Sequence, residues 1–219
     1  MTSPSHGIRR RRPVLVPVAA ALAAAGVGVT AAFGGLDEAP PKKPAQVTAG
    51  QVIDQGQFRT EFLEAIDTIE QGEFGATRRI LKITIKVTNL GKATTSVGLL
   101  PEPGKAIPEI PYSFAGSLLR VDPEIKSKYG ADVTVLSYGI KSRQLHPGIT
   151  TTVVVKYELE ATATVPPEIR VDVGRLVYAT LGVRDQSYYW RLAGEEDKDG
   201  AFTPAVAARV SLPVRQERT

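Results

Sequence analysis

Cysteine is absent from the 219 residues, histidine occurs twice (His6 and His146), and tryptophan once. The missing thiols exclude a disulfide framework, a thiolate metal site, a catalytic cysteine and a lipid-acceptor cysteine. Two histidines so far apart exclude a histidine-rich metal centre. There is no phosphate-cradling glycine loop, no nucleophile elbow and no zinc-ligand spacing. These absences argue against the common enzyme classes, so the chain is expected to be non-enzymatic and to require no cofactor. In an oxidising compartment its stability would rest on the core alone.

Charge of one sign is scarce once its position is considered. The formal net charge is +4, and Arg9, Arg10, Arg11 and Arg12 carry that many positive charges near the N-terminus. The remainder is formally neutral, which argues against a nucleic-acid partner. From Pro13 to Leu36 no residue is charged. About 20 consecutive apolar residues suffice for a helix to cross a bilayer, so residues 13–36 are expected to form a transmembrane signal-anchor in contact with membrane lipid. The four arginines act as a topology signal: residues 1–12 are expected in the cytoplasm, and everything after Leu36 outside the cell membrane. A cleaved signal peptide is the competing reading, since Thr30, Ala31 and Ala32 are small. Its apolar core would normally be shorter, about 7–15 residues.

Residues 37–45, "DEAPPKKPA", read as a stiff Pro-rich linker. Beyond them, residues 46–214 are expected to form one extracytoplasmic domain, with 215–219 as a tail. In "ILKITIKVTNLGKA", Leu81, Ile83, Ile85 and Val87 alternate with Lys82, Thr84, Lys86 and Thr88, the period of a half-buried strand. Asn89-Leu90-Gly91-Lys92 then reads as a turn using residues that tolerate positive φ. "GITTTVVVKYELEA" alternates likewise, with Ile149, Thr151, Val153, Val155, Tyr157 and Leu159 on one face. The last element sets Val206, Ala208, Val210, Leu212 and Val214 against Arg209 and Ser211. Further strands are expected near Val47–Ile53, Thr94–Leu99, Tyr112–Val121, Val133–Tyr138, Ile169–Val173 and Arg175–Leu181. Four prolines between Pro101 and Pro111 mark a loop or sheet edge. The pattern points to an all-β, antiparallel β-sandwich. In "QFRTEFLEAIDTIEQG", by contrast, Phe58, Phe62, Ile66 and Ile69 fall at the spacing of an amphipathic helix.

Taken in order, "VTAGQVIDQGQFRTEFLEAI", "LKITIKVTNLGKA" and "LHPGITTTVVVKYELEA" resemble the immunoglobulin-like extracytoplasmic domains of Gram-positive, in particular actinobacterial, membrane and secreted proteins. The likeness rests on Gly50, Gly56, the run Val87-Thr88-Asn89-Leu90-Gly91, and Pro147-Gly148, and covers most of Gln46 to Val214. It implies an immunoglobulin-like sandwich with a strand, not a helix, after Gly56. It implies no single activity, because fold does not fix function. The chain departs from many members in lacking a lipid-acceptor cysteine and in its irregular stretch from Leu100 to Leu145.

Three features are candidates for chemistry. His146 directly precedes Pro147-Gly148 and reads as part of a turn before it reads as an acid-base catalyst. Glu195, Asp197 and Asp199 alternate before Gly200 in the manner of a Ca²⁺ loop, but Val206 falls where a closing glutamate would be needed, so a solvated acidic turn is favoured. Tyr188, Tyr189 and Trp190 concentrate aromatic side chains, which are either core or a binding surface for a glycan or protein. The expected role is an interaction module for an envelope or membrane protein partner, with glycan or Ca²⁺ binding as the alternative.

Overall fold

The computed structural model describes residues 43–71, 75–127, 129–137, 139–180 and 186–217, and those from Pro44 onward form one compact unit. The expected membrane span, the Arg9–Arg12 signal and most of the Pro-rich linker lie outside the described residues. Among the described residues no helix is long and apolar enough to cross a membrane. The strands expected to end at Tyr138 and Leu181 also finish outside them.

The described chain is nearly all β. Its strands are β1 (Ala45–Thr48), β2 (Val52–Asp54), β3 (Phe58–Gln71), β4 (Thr77–Asn89), β5 (Thr95–Ser96), β6 (Leu118–Asp122), β7 (Ala131–Ser137) and β8 (Ile140–Ser142). There follow β9 (Gln144–Leu145), β10 (Thr150–Leu159), β11 (Glu168–Gly174), β12 (Leu176–Thr180), β13 (Tyr188–Leu192), β14 (Gly194–Glu196), β15 (Phe202–Pro204) and β16 (Val206–Glu217). A 3-10 turn at Ala115–Ser117 interrupts them. Ten strands join a curled, mixed sheet in the order β6-β11-β16-β3-β4-β10-β7-β8, with β1 on β16 and β2 on β3. The pairs β12-β13, β14-β15 and β5-β9 stand apart from it.

The alternating strands pair as their patterns require. In the antiparallel β4–β10 pair Ile83 faces Val155 and Ile85 faces Val153, and all four are buried. Ile169 and Val171 of β11 oppose Leu212 and Val210 of β16, extending the same core. Phe58 and Phe114 close it edge-to-face, 5.3 Å between ring centroids.

The helical spacing of Phe58, Phe62, Ile66 and Ile69 has a different origin. β3 is a strand with a register shift between Phe62 and Glu64. Phe58, Thr60 and Phe62 are buried before the bulge, and Ala65 and Asp67 after it. One extra residue changes which parity faces the core, and two offset period-two runs imitate a helical stripe.

Four expected elements differ in extent, and Thr94–Leu99 is strand only at Thr95–Ser96. Val47–Ile53 is broken by a turn at Gly50, whose φ is +81°. Tyr112–Val121 becomes strand only at Leu118, because Pro111 has no N–H to pair and Tyr112 adopts φ +52° ahead of the 3-10 turn. The supposed tail is structured at its start: β16 changes its neighbour near Pro213, pairing parallel with β1 over Ala208–Ser211 and then with β3 over Val214–Glu217.

Two buried amides hold the connections. Gln55 is fully buried; its Nε2 donates to Ser117 Oγ at 3.0 Å and to the Gly174 carbonyl at 3.3 Å, and its Oε1 accepts from Thr60 Oγ1. Asn89 Nδ2 donates to the carbonyls of Ala93 and Leu145 at 2.8 and 2.9 Å, while its Oδ1 accepts from the Gly91 N–H at 2.9 Å. Neither Asn89 nor Gly91 has positive φ. The turn is therefore held by the asparagine side chain and not by left-handed backbone, which corrects the reason the sequence suggested.

Candidate functional site: an aromatic ladder on a hairpin

β12 and β13 pair antiparallel, with Leu176 opposite Leu192 at the base, then Tyr178 opposite Trp190, then Thr180 opposite Tyr188. Side chains two apart share a face. Leu176 and Leu192 are buried and root the hairpin in the core. Farther out the same face carries Tyr178, Tyr188 and Trp190. Tyr178 lies 5.2 Å from Trp190 and 5.4 Å from Tyr188, centroid to centroid, with interplanar angles of 44° and 32°. Such tilted contacts stabilise a cross-strand cluster beyond the area buried.

The ladder is partly anchored and partly presented. Trp190 is half-buried and packs against the core, beside Gly56 and Gly91 from the ends of β2 and β4. A Cβ on Gly56 would overlap the Leu176 carbonyl oxygen, and Gly56 has φ +97°, so only glycine permits this approach. Tyr178 and Tyr188 remain 58% and 59% exposed, more than tyrosines recruited for packing need be. Arg191, on the opposite face, pairs with Glu109, and the Leu192 N–H donates to the Glu109 carbonyl at 2.7 Å. These bonds fasten the hairpin to the Pro-rich 101–111 segment.

Of the sequence candidates, Tyr188 and Trp190 therefore come together, whereas Tyr189 projects from the other face beside Ala179. Tyr178 joins them without having been singled out. The acidic residues form a different structure. Asp197 Oδ1 accepts from the N–H groups of Asp199 and Ala201 at 2.9 and 2.8 Å, a local turn closed by its own backbone. Among the described residues no group of three or more His, Cys, Asp or Glu side chains is arranged to hold a metal ion. Glu195 lies in the short β14 strand, apart from that turn. His146 is exposed and shares a 3.0 Å hydrogen bond between its Nδ1 and Thr94 Oγ1. Among the described residues it has no carboxylate partner.

One buried titratable group lies elsewhere. Tyr157 on β10 is 7% exposed, and burial pushes its phenol pKa above the ordinary value of 10.0. Above about pH 10 the unfolded chain loses this proton while the folded chain retains it. The resulting stabilisation is complete below that pH and is lost as pH climbs through the raised value. Denaturant melts from about pH 8 to about pH 11 should show stability falling more steeply in the wild type than in Tyr157→Phe; equal slopes would contradict this account.

No protein-family model matches the chain, and no curated protein sequence matches it.

Proposed function

We propose that the chain is a membrane-anchored, non-enzymatic extracytoplasmic module with an immunoglobulin-like sandwich fold, which uses the β12–β13 hairpin to bind an envelope or membrane protein partner. The observation carrying this reading is the ladder of Tyr178, Tyr188 and Trp190, with two rings exposed on an otherwise core-rooted hairpin. Large amphipathic rings held in place by a buried base supply contact area at low entropic cost. The sandwich reading is supported by the mixed, curled sheet enclosing one core. The anchor reading rests on the uncharged run from Pro13 to Leu36 beside four arginines.

The test is membrane-impermeant cross-linking on cells carrying the tagged full chain. An uncleaved, membrane-bound chain joined reproducibly to one envelope or membrane protein is the expected result. Tyr178→Ala combined with Tyr188→Ala should reduce that product about tenfold or more, since interface aromatics each contribute on the order of 1–2 kcal/mol. A released chain with no cross-linked protein would refute the proposal, as would a double variant that cross-links like the wild type.

The exposed rings also favour a second reading, stacking on the sugar rings of a cell-wall glycan. Titration with glycan fragments should then shift Trp190 emission in the wild type and not in the double tyrosine variant.

A further inference from the structure

The aromatic hairpin and the point where the chain enters the domain lie at the same end of the sheet. β1 begins at Ala45 beside Ala208 and runs parallel to β16, which itself runs parallel to β3, so all three strands start from one end. β11 runs the other way and finishes there, with Gly174 paired to Val206, and β4 finishes there too, with Asn89 opposite Phe58. The hairpin leaves from that end. The Arg175 N–H at its base donates to the Ala205 carbonyl at 3.0 Å, and Trp190 packs beside Gly56 and Gly91, in the turns after β2 and β4. Two turns at this end are tied by the Gly148 N–H, which donates to the Asn89 carbonyl at 2.8 Å, and they leave Leu90 and Ile149 exposed. The end that receives the linker therefore carries exposed apolar and aromatic side chains together.

Chain length adds a limit. The uncharged run read as the anchor ends at Leu36, and residues 37–44 reach at most about 29 Å when fully extended. An anchored chain thus holds Ala45 within that distance of the bilayer. The ladder is also small: each ring can bury about 150–250 Å², against about 1,200 Å² for an ordinary specific complex between free proteins. A patch of that size is well occupied when its partner is confined to the same thin layer, where the effective concentration is high.

We propose that the partner of the hairpin is an integral membrane protein, which Tyr178, Tyr188 and Trp190 contact beside one of its spans, close to the outer lipid headgroups. This rests on the anchored-module reading above and narrows its partner, setting aside detached envelope proteins and cell-wall glycan. Tyrosine and tryptophan suit that depth, since an apolar ring with a polar edge matches the boundary between hydrocarbon and water.

The experiment uses the full chain in living cells, with the photoreactive residue p-benzoylphenylalanine in place of Thr180. This position shares the ladder face opposite Tyr188 and leaves all three rings intact. Irradiation is expected to join the chain to one protein that itself spans the membrane. Inserting about 20 residues of Pro-rich sequence between Pro41 and Lys42 lengthens the stiff linker by about 60 Å, and should reduce the adduct about tenfold or more at equal surface abundance. A flexible Gly-Ser insert of the same length, with an r.m.s. span of about 25 Å, should retain most of it. An adduct undiminished by the stiff insert, or one joined to a protein without a membrane span, would overturn the juxtamembrane assignment and leave the hairpin as the binding site. An adduct with lipid alone would overturn it in favour of the bilayer itself. A protein adduct unchanged by Tyr178→Ala combined with Tyr188→Ala would instead refute the hairpin reading, and the absence of any adduct would refute both.

Discussion

Replacing Ile85 by aspartate should unfold the domain or cost roughly 3 kcal/mol or more, whereas Lys86→Asp should cost about 1 kcal/mol or less. Ile85 is fully buried at the centre of β4, flanked by Phe62 of β3 and Val153 of β10. A carboxylate there would meet hydrocarbon on both sides and no cation. Lys86 is exposed and stands opposite Glu61, 3.7 Å from its carboxylate. Its replacement would place like charges across two strands, a penalty moderated by solvent. Urea denaturation of the two variants separates the cases, and equal stability would mean that β4 does not carry its odd-numbered residues inward.

Arg79→Ala should be nearly as damaging, costing about 3–5 kcal/mol, because it strands a buried carboxylate. Asp67 is 4% exposed, and Arg79 engages it through Nε to Oδ1 at 3.0 Å and a terminal nitrogen to Oδ2 at 2.7 Å. The hydrogen bond that Arg79 donates to Asp67 raises the Arg79 pKa above its already high value. The other terminal nitrogen donates to the carbonyls of Ala161 and Ala163 at 3.1 and 2.7 Å. One guanidinium therefore joins β3, β4 and the turn after β10. Asp67→Leu in the Arg79→Ala background should recover much of the loss, because the uncompensated charge then disappears. Thermal unfolding of the single and double variants checks this; a double variant no more stable than Arg79→Ala would assign the cost to the lost carbonyl bonds instead.

Legibility in the sequence followed physical range. β4, β10 and β16 announced themselves because one face is buried along most of their length, so alternation survives in the residues. β3 did not, since the bulge between Phe62 and Glu64 shifts its phase midway. The Asn89 turn was visible, but its cause was not: the side chain reaches Leu145, far along the chain. For the aromatic site, Tyr188 and Trp190 stood out as neighbours. Tyr178 did not, because only the β12–β13 register brings it opposite Trp190. Tyr157 could be assigned to an inward face, but not to the space it lines together with Leu118, Val121 and Ile125. That depends on where β6 and the segment following it lie.

The parallel pairing of β1 with β16 bears on force. Traction applied between Ala45 at the start of β1 and Glu217 at the end of β16 would pull two parallel strands from opposite ends. Their hydrogen bonds would then be loaded together, in shear, instead of opening one after another. β16 also lies against β11 and β3, so its withdrawal would disrupt the main sheet. A protein tethered at one end and gripped at the other would resist rupture through this strand, with a lifetime set by its unfolding rate more than by its equilibrium stability.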